Sequence, residues 1–397
     1  MEYFVSLERA QELSIDQRLD LEIEMVSLDD AHGRFLATDL ASKVNDPPFD
    51  NSSMDGFAVR HEDTIGGGSR LEIIGTVQAA AEDGTINVGS GQAARIMTGA
   101  PMPPGSDSII MVEKTETKDG WVTLLEESRP GFVRLKGENL EKGQIALTKG
   151  TRMTPHHTGL AATMGHADIP VFRKPIVAII STGDELKQPG EPLDKGEIYE
   201  SNSFGLAGLV KLIGGVPMRM DACADSIESL RTALNEAATS SDVILTSGGV
   251  SMGEWDLVRR IMEEEGDIIF WRMRIRPGSP PILGTWKGTP LFGLPGNPVS
   301  SHVVFRMLTR PWILEQYGCE EPETMVPVRL LEDVKAATDC HTLRRVSVMN
   351  DDGDLVASMK THQGSGNLHS LVCANALTYL PPGSTARKGE TIQVILM

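Results

Sequence analysis

The sequence is poor in cysteine and has no long apolar run. Its four cysteines, Cys223, Cys319, Cys340 and Cys373, include no CxxC pair, which argues against a disulfide framework or a zinc site and is typical of a reducing cytosol. The longest apolar stretches, such as Ile176–Ile180, are far shorter than the roughly 18 residues of a membrane span. Charges stand in the opening MEYFVSLERAQEL where a signal peptide would have its apolar core. We therefore predict a soluble, cytoplasmic protein.

Positive charge is scarce as well. The chain has 37 basic and 55 acidic residues and a formal net charge of −18. A protein this acidic repels nucleic acid and anionic lipid, so we expect neither as a partner and favour small-molecule ligands. The nine histidines show no metal-ligand spacing, and no Ser/His/Asp or Cys/His arrangement of a nucleophilic enzyme is evident.

The pattern of residue types changes along the chain and predicts four regions. Residues 1–45 look helical, with Ser27 and Asp30 forming a capping-box pattern for a helix through Leu36, and they are grouped with 135–173 as a linking domain. Short strands between Gly/Pro/Asp clusters predict a small β domain at 46–134 and another at 322–397.

Residues 174–320 alternate between apolar strands and helices. The predicted strands are Ile176–Ile180, Val243–Thr246 and Leu291–Gly293. Predicted helices follow them at 203–213, 227–238, 256–265 and 299–314. This alternation predicts a mostly parallel sheet covered on both faces. The fold class is thus α/β plus β, with a parallel-sheet core and small β domains.

Three predicted strands end in loops of small and polar residues. The loops are STGDE at 181–185, SGGVS at 247–251 and PGNP at 295–298. Ligands bind at the carboxyl ends of parallel strands, and glycine lets a backbone approach a phosphate closely. Asn297 and Pro298 suit the start of a helix whose free N–H groups bind an anion. We favour an anionic, nucleotide-like ligand; a tight strand-to-helix turn is the alternative for each loop.

Charged side chains around these loops suggest a binding site. A strand would place Arg272, Arg274 and Arg276 on one face, where they could form an oxyanion site. The alternative is a solvated strand face that pairs with the glutamates at 263–265. Asp225 with Glu228 and Ser251 with Glu254 fit capping boxes. We expect helix capping to be the main role of Asp225.

Several carboxylates stand in or beside the predicted ligand loops, namely Asp184, Glu185 and Asp256. A carboxylate about 4 Å from a phosphate costs about 4 kcal/mol at an effective dielectric near 20. If these side chains face the ligand, a hard cation must lie between them and the phosphates. Mg²⁺ is the simplest choice because it prefers oxygen ligands.

Ordered motifs along nearly the whole chain resemble one known family. They are DPPFDNSSMDGFAV at 46–59, IMTGAP at 96–101, STGDEL, SGGVSMGEWD, RPGSP, GLPGNPVS and THQGS at 361–365. Together they resemble the molybdopterin molybdenumtransferases, the family that includes the gephyrin E domain. The resemblance implies an elongated four-domain subunit in a homodimer, with a molybdopterin-binding α/β domain and an upstream molybdopterin adenylyltransferase as a partner.

The implied reaction takes molybdate and adenylylated molybdopterin as substrates and Mg²⁺ as cofactor. Molybdate enters the pterin dithiolene, the phosphoanhydride is hydrolysed and AMP leaves. The pterin supplies the sulfur ligands, which accounts for the lack of a cysteine cluster. Tungstate insertion by the same mechanism, a nucleotide pyrophosphatase with the same α/β domain and a binding scaffold are the alternatives.

The resemblance also assigns roles to individual residues. Those needed for activity are Asp55, Thr98, Glu185, Asp225 and Asp256, with Glu185 and Asp256 at Mg²⁺. Those that bind substrate are Arg134, Ser251, Arg272, Arg276, Ser279, Pro295, Pro298, Ser300, Arg345 and Ser365, the last two as oxyanion contacts. Two positions depart from the family. Asn139 replaces an aspartate, and Ser279 replaces a lysine, so it offers molybdate a hydroxyl without Coulomb attraction.

Overall fold

The computed structural model describes residues 1–79, 86–250 and 256–397. They form two compact units. The first comprises Met1–Glu24, Gly33–Ala37 and Pro170–Met397, and the second Met25–His32 and Thr38–Ile169. The predicted division into four domains stays a prediction.

A seven-stranded sheet forms the centre of the first unit. Its strands are β1 (Glu2–Val5), β2 (Ile176–Ser181), β3 (Val216–Arg219), β4 (Val243–Ser247), β5 (Asp267–Met273), β6 (Ile282–Trp286) and β7 (Thr289–Leu294). They are ordered β1-β5-β6-β7-β4-β2-β3. Neighbours pair in parallel except that β6 runs antiparallel to β5 and β7. The predicted mostly parallel sheet is confirmed.

Helices cover both faces of this sheet. They are α1 (Leu7–Ile15), α2 (Asn202–Leu212), α3 (Ile227–Ser240), α4 (Leu257–Glu265), α5 (Pro298–Val304) and α6 (Arg310–Gln316), with a π-helical turn, Phe305–Thr309, between α5 and α6. Alternate residues of β2 enter different cores. Val177 and Ile179 pack with α2, whereas Ala178 and Ile180 pack with α3 and α4. A strand buried on both faces explains the uninterrupted apolar sequence.

The starts of β2 and β4 are tied together by Asp242. The two Nη atoms of Arg173 donate to its carboxylate at 2.7 Å, and the Ile176 N–H donates at 2.7 Å. Burial alone would raise the pKa of Asp242, but Arg173 and the Ile176 N–H outweigh it and lower the pKa. The carboxylate is therefore ionised in the folded protein at any pH near neutrality.

We expect Asp242→Asn to destabilise the protein by about 2–3 kcal/mol near pH 7. Because the folded-state pKa lies below the unfolded value of about 3.9, this stabilisation is complete above the unfolded pKa and is lost as the pH falls through the folded pKa. Urea unfolding at pH 7 and pH 3 measures the difference. An equal loss of stability at both values would contradict the assigned role, and Asp354→Asn on the exposed barrel surface is the control.

The rest of the first unit contains a closed five-stranded barrel. Its strands are Met325–Leu330, Arg345–Asp351, Asp354–Ser358, Ala376–Thr378 and Thr391–Leu396. A one-turn helix, His369–Val372, precedes the fourth strand. Short strands complete the unit, at Leu186–Lys187, Ile198–Tyr199, Ile275–Arg276, Val334–Lys335, His341–Thr342 and Thr385–Ala386. The barrel agrees with the small β domains of the predicted fold class.

The second unit is built on a six-stranded sheet. In spatial order its strands are Ser108–Met111, Gly56–Val59, Gln92–Ile96, Arg70–Val77, Trp121–Leu124 and Thr115–Lys118. Further strands are Leu40–Ala41, Asn51–Ser52, Val133–Arg134 and Ile145–Leu147, and the helix is Pro155–Thr163. Short 3₁₀ turns lie at Leu28–Asp30, His61–Thr64, Val112–Lys114 and Pro130–Phe132. The strands Ile23–Ser27 and Asp168–Phe172 lie where the chain passes between the units.

The prediction of a helical N-terminal region is wrong in two places. Residues Glu2–Val5 form β1, and the helix expected from Ser27 to Leu36 is only the 3₁₀ turn Leu28–Asp30. The Ser27 hydroxyl donates to the Asp30 carboxylate instead of capping backbone N–H groups. Gly33 then adopts a φ of +76°, which ends any helical path.

Candidate functional site

A cavity of about 1300 Å³ lies at the carboxyl ends of β2, β4 and β7. The three glycine-containing loops predicted to bind a ligand all line it, and two segments of the chain after residue 338 line it too. Parallel strands whose carboxyl ends meet at one edge produce this arrangement, because the loops that follow neighbouring strands lie side by side.

Most predicted site residues of the first unit line this one cavity. They are Glu185, Asp225, Asp256, Arg272, Arg276, Ser279, Pro295, Pro298, Ser300, Arg345 and Ser365. Asp55, Thr98 and Arg134 belong to the second unit, and Ser251 lies outside the described residues. The residues are therefore brought together as a group, while the role of each stays a prediction.

The acidic side of the cavity begins at the loop after β2. Gly183 has a φ of +148°, and a Cβ there would lie 2.6 Å from a carboxylate oxygen of Glu185. Only glycine leaves room for this side chain to fold back over the loop. Within the described part of the chain, the Glu185 carboxylate accepts no hydrogen bond from another side chain or backbone group. It is available to a ligand.

Asp225 does not cap a helix, which corrects the expectation that helix capping is its main role. Ser226 is the N-cap of α3, and its hydroxyl accepts the Ser229 N–H at 3.2 Å. Asp225 instead exchanges hydrogen bonds with Asp184. The Asp225 N–H donates to the Asp184 carboxylate at 2.9 Å, and the Asp184 N–H donates back at 3.3 Å. The pair joins the loops that follow β2 and β3.

The described carboxylates of the cavity do not form a complete protein cage for a metal ion. Asp256 occupies the N-cap position of α4 without a side-chain cap bond. Within 1–79, 86–250 and 256–397, no group of three or more His, Cys, Asp or Glu side chains could hold a metal ion together. Mg²⁺ is typically held by one or two carboxylates together with water and substrate phosphates. Glu185 and Asp256 suit that mode.

The three arginines that were predicted to share one strand face do not all line the basic side of the cavity. β5 ends at Met273, and Arg272 has a φ of +70° that breaks the regular alternation of side chains. Arg272 and Arg276 line the cavity. The Nε–H of Arg274 donates to the Phe4 carbonyl at 3.0 Å, and Arg274 is not among the lining residues. The prediction that all three share one face is wrong, and Arg274 does not compensate for the missing lysine at Ser279.

Arg345 is a buried cation at the cavity wall, with 1% of its surface exposed. Its Nε–H donates to the Ser370 hydroxyl and an Nη–H donates to the Gly364 carbonyl, both at 3.0 Å. Gln363 holds its backbone, accepting the Arg345 N–H at 3.0 Å and donating to the Arg345 carbonyl at 2.8 Å. Burial, followed by the charge of Arg344, lowers the pKa of Arg345. Since no carboxylate of the described residues pairs with it, an anion in the cavity would stabilise it.

The start of α5 joins two of the predicted motifs. Asn297 is its N-cap and Pro298 its first residue, as predicted. The Val299 N–H, however, donates to the Ser365 carbonyl at 3.0 Å, so this N–H is not free for an anion. Ser300 is 4% exposed. The Ser279 hydroxyl is buried without a hydrogen-bond partner in the described part of the chain, which leaves it able to donate to a ligand.

Two positioning residues have no recognisable sequence signal. The Asn202 amide donates to the Ser247 hydroxyl and the Gly296 carbonyl, both at 2.7 Å, and so joins the loops after β4 and β7. Glu200, 3% exposed, accepts from the Ser181 hydroxyl at 2.9 Å and the Ser203 N–H at 2.7 Å. Asn202 belongs to no recognisable pattern because both of its partners lie far along the sequence. Glu200 joins a local partner, Ser203, to the distant Ser181.

In the second unit, Asp55 and Thr98 lie in contact. The Asp55 carboxylate accepts the Thr98 N–H at 2.7 Å and the Thr98 hydroxyl at 2.9 Å. These bonds, the backbone one first, lower the pKa of Asp55. Arg134 is exposed on the short strand Val133–Arg134. The Asn139 amide donates to the Asp46 carboxylate at 3.2 Å, a bond that the aspartate of the family pattern would make only when protonated.

Among the described residues, no helix is both long enough and apolar enough to cross a membrane.

Comparisons with known proteins identify the family. Residues 5–165 match the model "MoeA N-terminal region (domain I and II)", residues 178–315 match "Probable molybdopterin binding domain", and residues 327–397 match "MoeA C-terminal region (domain IV)". The molybdopterin molybdenumtransferase of Bacillus subtilis is 35% identical over 95% of this chain and 90% of its own length. That of Haemophilus influenzae is 32% identical over 98% of both chains.

A solved structure agrees with the sequence relatives. The molybdopterin biosynthesis MoeA protein of Pyrococcus horikoshii is 29% identical and superposes with a TM-score of 0.85, over 99% of this chain and 100% of that one. The resemblance and the fold class predicted from the sequence are confirmed. The chain therefore belongs to the molybdopterin molybdenumtransferase family and is an enzyme of molybdenum cofactor biosynthesis.

Proposed function

We propose that the chain inserts molybdate into adenylylated molybdopterin with Mg²⁺-dependent release of AMP. The observation that carries the proposal is the charge distribution of a single cavity. Arg345, a buried cation without a carboxylate partner among the described residues, lines the same cavity as Glu185 and Asp256. Such a cavity suits a substrate pair that combines a free oxyanion with a phosphoanhydride.

The proposed role of each lining residue follows from its charge. Arg345 and Ser365 would bind molybdate, and Arg272 and Arg276 would hold the phosphates, because guanidinium groups bind oxyanions through paired N–H donors. The hydroxyls of Ser279 and Ser300 would donate to the anionic substrate, and Pro295 and Pro298 would shape the rim of its binding site. Ser251 is assigned to the same pocket.

Carboxylates would hold the cation that offsets phosphate charge. Mg²⁺, when bound at Glu185 and Asp256, supplies charge neutralisation at the phosphoanhydride. Asp225 keeps its loop beside that site through Asp184. Water adds across the phosphoanhydride and gives AMP and the pterin phosphate. When the two pterin sulfurs bind the metal, their protons leave with one molybdate oxygen as water, and the pterin phosphate carries the metal in its dithiolene.

AMP release tests the proposal directly. Purified protein is mixed with adenylylated molybdopterin, Mg²⁺ and molybdate, and AMP is measured by chromatography. We expect release that needs both molybdate and Mg²⁺ and stops when EDTA is added. Release without any oxyanion would favour the pyrophosphatase alternative, and release with tungstate but not molybdate would favour tungstate insertion. No AMP under any of these conditions would reject the proposal.

Asp55 provides a test in the second unit, where we assign Asp55, Thr98 and Arg134 to the same reaction. We expect Asp55→Asn to abolish AMP release while the thermal midpoint stays within a few degrees of the wild type, since the carboxylate is exposed and outside any core. Activity and thermal unfolding are measured on the same sample. Asp63→Asn, in the same unit, is the control, and aggregation of Asp55→Asn would indicate a structural role instead.

The assembly and location of the enzyme are also part of the proposal. We infer a cytoplasmic homodimer that receives its substrate from a molybdopterin adenylyltransferase. Sedimentation velocity of the purified chain at micromolar concentration tests the dimer, and a monomer at that concentration would contradict it.

A further inference from the structure

The first strand of the chain is bent at the residue that faces Arg272. β1 and β5 pair in parallel with Tyr3 opposite Trp271 and Val5 opposite Met273, which places Phe4 opposite Arg272. Phe4 has a φ of +51° and Arg272 a φ of +70°. Left-handed conformations are rare for large side chains and persist only where surrounding contacts hold them. Two such residues at one register position mark a shared constraint.

Contacts between these residues show what the bend achieves. An Nη–H of Arg272 donates to the Tyr3 hydroxyl at 2.9 Å. The guanidinium carbon of Arg272 lies 4.9 Å from the ring centroid of Phe4 and 5.8 Å from that of Tyr3. Arg274 lies 4.9 Å from the same Phe4 ring. One phenyl ring thus contacts two guanidinium groups within the range of cation–π attraction.

Neither aromatic side chain is buried in the core, although the Tyr3 ring contacts the buried Trp271 at a centroid distance of 5.3 Å. Tyr3 is 53% exposed, although tyrosine normally buries most of its ring. Phe4 and Arg272 both line the cavity. A long, flexible arginine binds an anion more tightly when its guanidinium is already held in the bound orientation, because less conformational entropy is lost.

We propose that Tyr3 and Phe4 are positioning residues that hold Arg272 toward the anionic substrate. The proposal rests on the function assigned above, in which Arg272 contacts the phosphates. The first strand therefore contributes to substrate binding through Arg272, and neither aromatic residue needs to touch the reacting atoms.

A double-mutant cycle tests the proposal. We expect Tyr3→Phe to raise KM for the adenylylated substrate about fivefold and Phe4→Leu about tenfold, with kcat changed less than twofold in each. In an Arg272→Met background, neither second substitution should raise KM further, because residues that act through one partner are not additive. Phe4→Tyr keeps the ring and should restore the wild-type KM.

The matched control is Glu2→Gln on the same strand. It removes the ion pair of Glu2 with Arg9, 2.6 Å in length, without contacting Arg272, and KM should not change. If Tyr3→Phe and Phe4→Leu raise KM by the same factor with and without Arg272, the positioning role is overturned.

The cycle is repeated with inorganic phosphate as a probe, its equilibrium binding measured by calorimetry. Binding that weakens in Tyr3→Phe only when Arg272 is present supports the positioning role even if the wild type releases no AMP, in which case the function alone is rejected. Phosphate affinity equal in the wild type and in Tyr3→Phe overturns the positioning role.

Discussion

Glu185→Gln is expected to lower molybdate-dependent AMP release about 100-fold. The side chain lies over Gly183 at the cavity wall and has no protein partner in the described part of the chain, so the substitution removes a negative charge without breaking a structural contact. Glutamine is similar in shape but binds Mg²⁺ far more weakly. The initial rate of AMP release, measured across a Mg²⁺ titration, reports the effect.

The Mg²⁺ dependence distinguishes a metal ligand from a general acid. A ligand role predicts that the half-saturating Mg²⁺ concentration rises sharply in Glu185→Gln and that high Mg²⁺ partly restores the rate. Glu264→Gln on α4, whose partner is the exposed Arg260, is the matched control and should behave as the wild type. An unchanged Mg²⁺ dependence in Glu185→Gln would remove Glu185 from the metal site.

Arg345→Met is expected to weaken molybdate binding at least about 100-fold and to leave the free energy of unfolding within about 1 kcal/mol of the wild type. Arg345 is 1% exposed, and among the described residues its side chain donates hydrogen bonds only to neutral groups. Its burial is unfavourable in the absence of an anion, so methionine loses hydrogen bonds but also relieves a desolvation cost. Calorimetric titration with molybdate and urea unfolding measure the two effects.

Arg329→Met provides the comparison within the same barrel. Arg329 pairs with Asp351 and Asp354 at 3.6 Å on the surface, and exposed pairs of this kind contribute little. The molybdate affinity of Arg329→Met should equal that of the wild type. Should Arg345→Met bind molybdate as well as the wild type does, the buried cation would have no part in oxyanion recognition.

The α/β region could be predicted because short apolar runs alternate with longer helix-forming segments. Uninterrupted apolar residues define β2 and β4, and the segments between them form α2 and α3 close to the predicted bounds. The glycine-containing loops follow directly from the strand ends. Arg345 and Ser365 could not be reached that way, because nothing local connects them to those loops, and only the family resemblance pointed to them.

The errors of prediction arise where long-range contacts decide between local alternatives. Asp225 and Ser226 are both good N-caps, and Ser226 takes the role because Asp225 is engaged with Asp184. Arg272 would continue a regular strand on its own sequence, but it bends where β1 meets β5. Tyr3, Phe4 and Val5 are residue types that favour strands, but the run is short and its partner strand lies far along the chain, so the sequence alone did not predict β1.

The position of β1 has a consequence for biosynthesis. Its partner strand β5 leaves the ribosome only after the entire second unit has been translated. Until then the N-terminal segment has no edge on which to dock, and pairing over so great a sequence separation is slow. Affinity tags at the amino terminus would add bulk to a strand that joins the sheet late, whereas tags at the carboxyl terminus leave that step undisturbed.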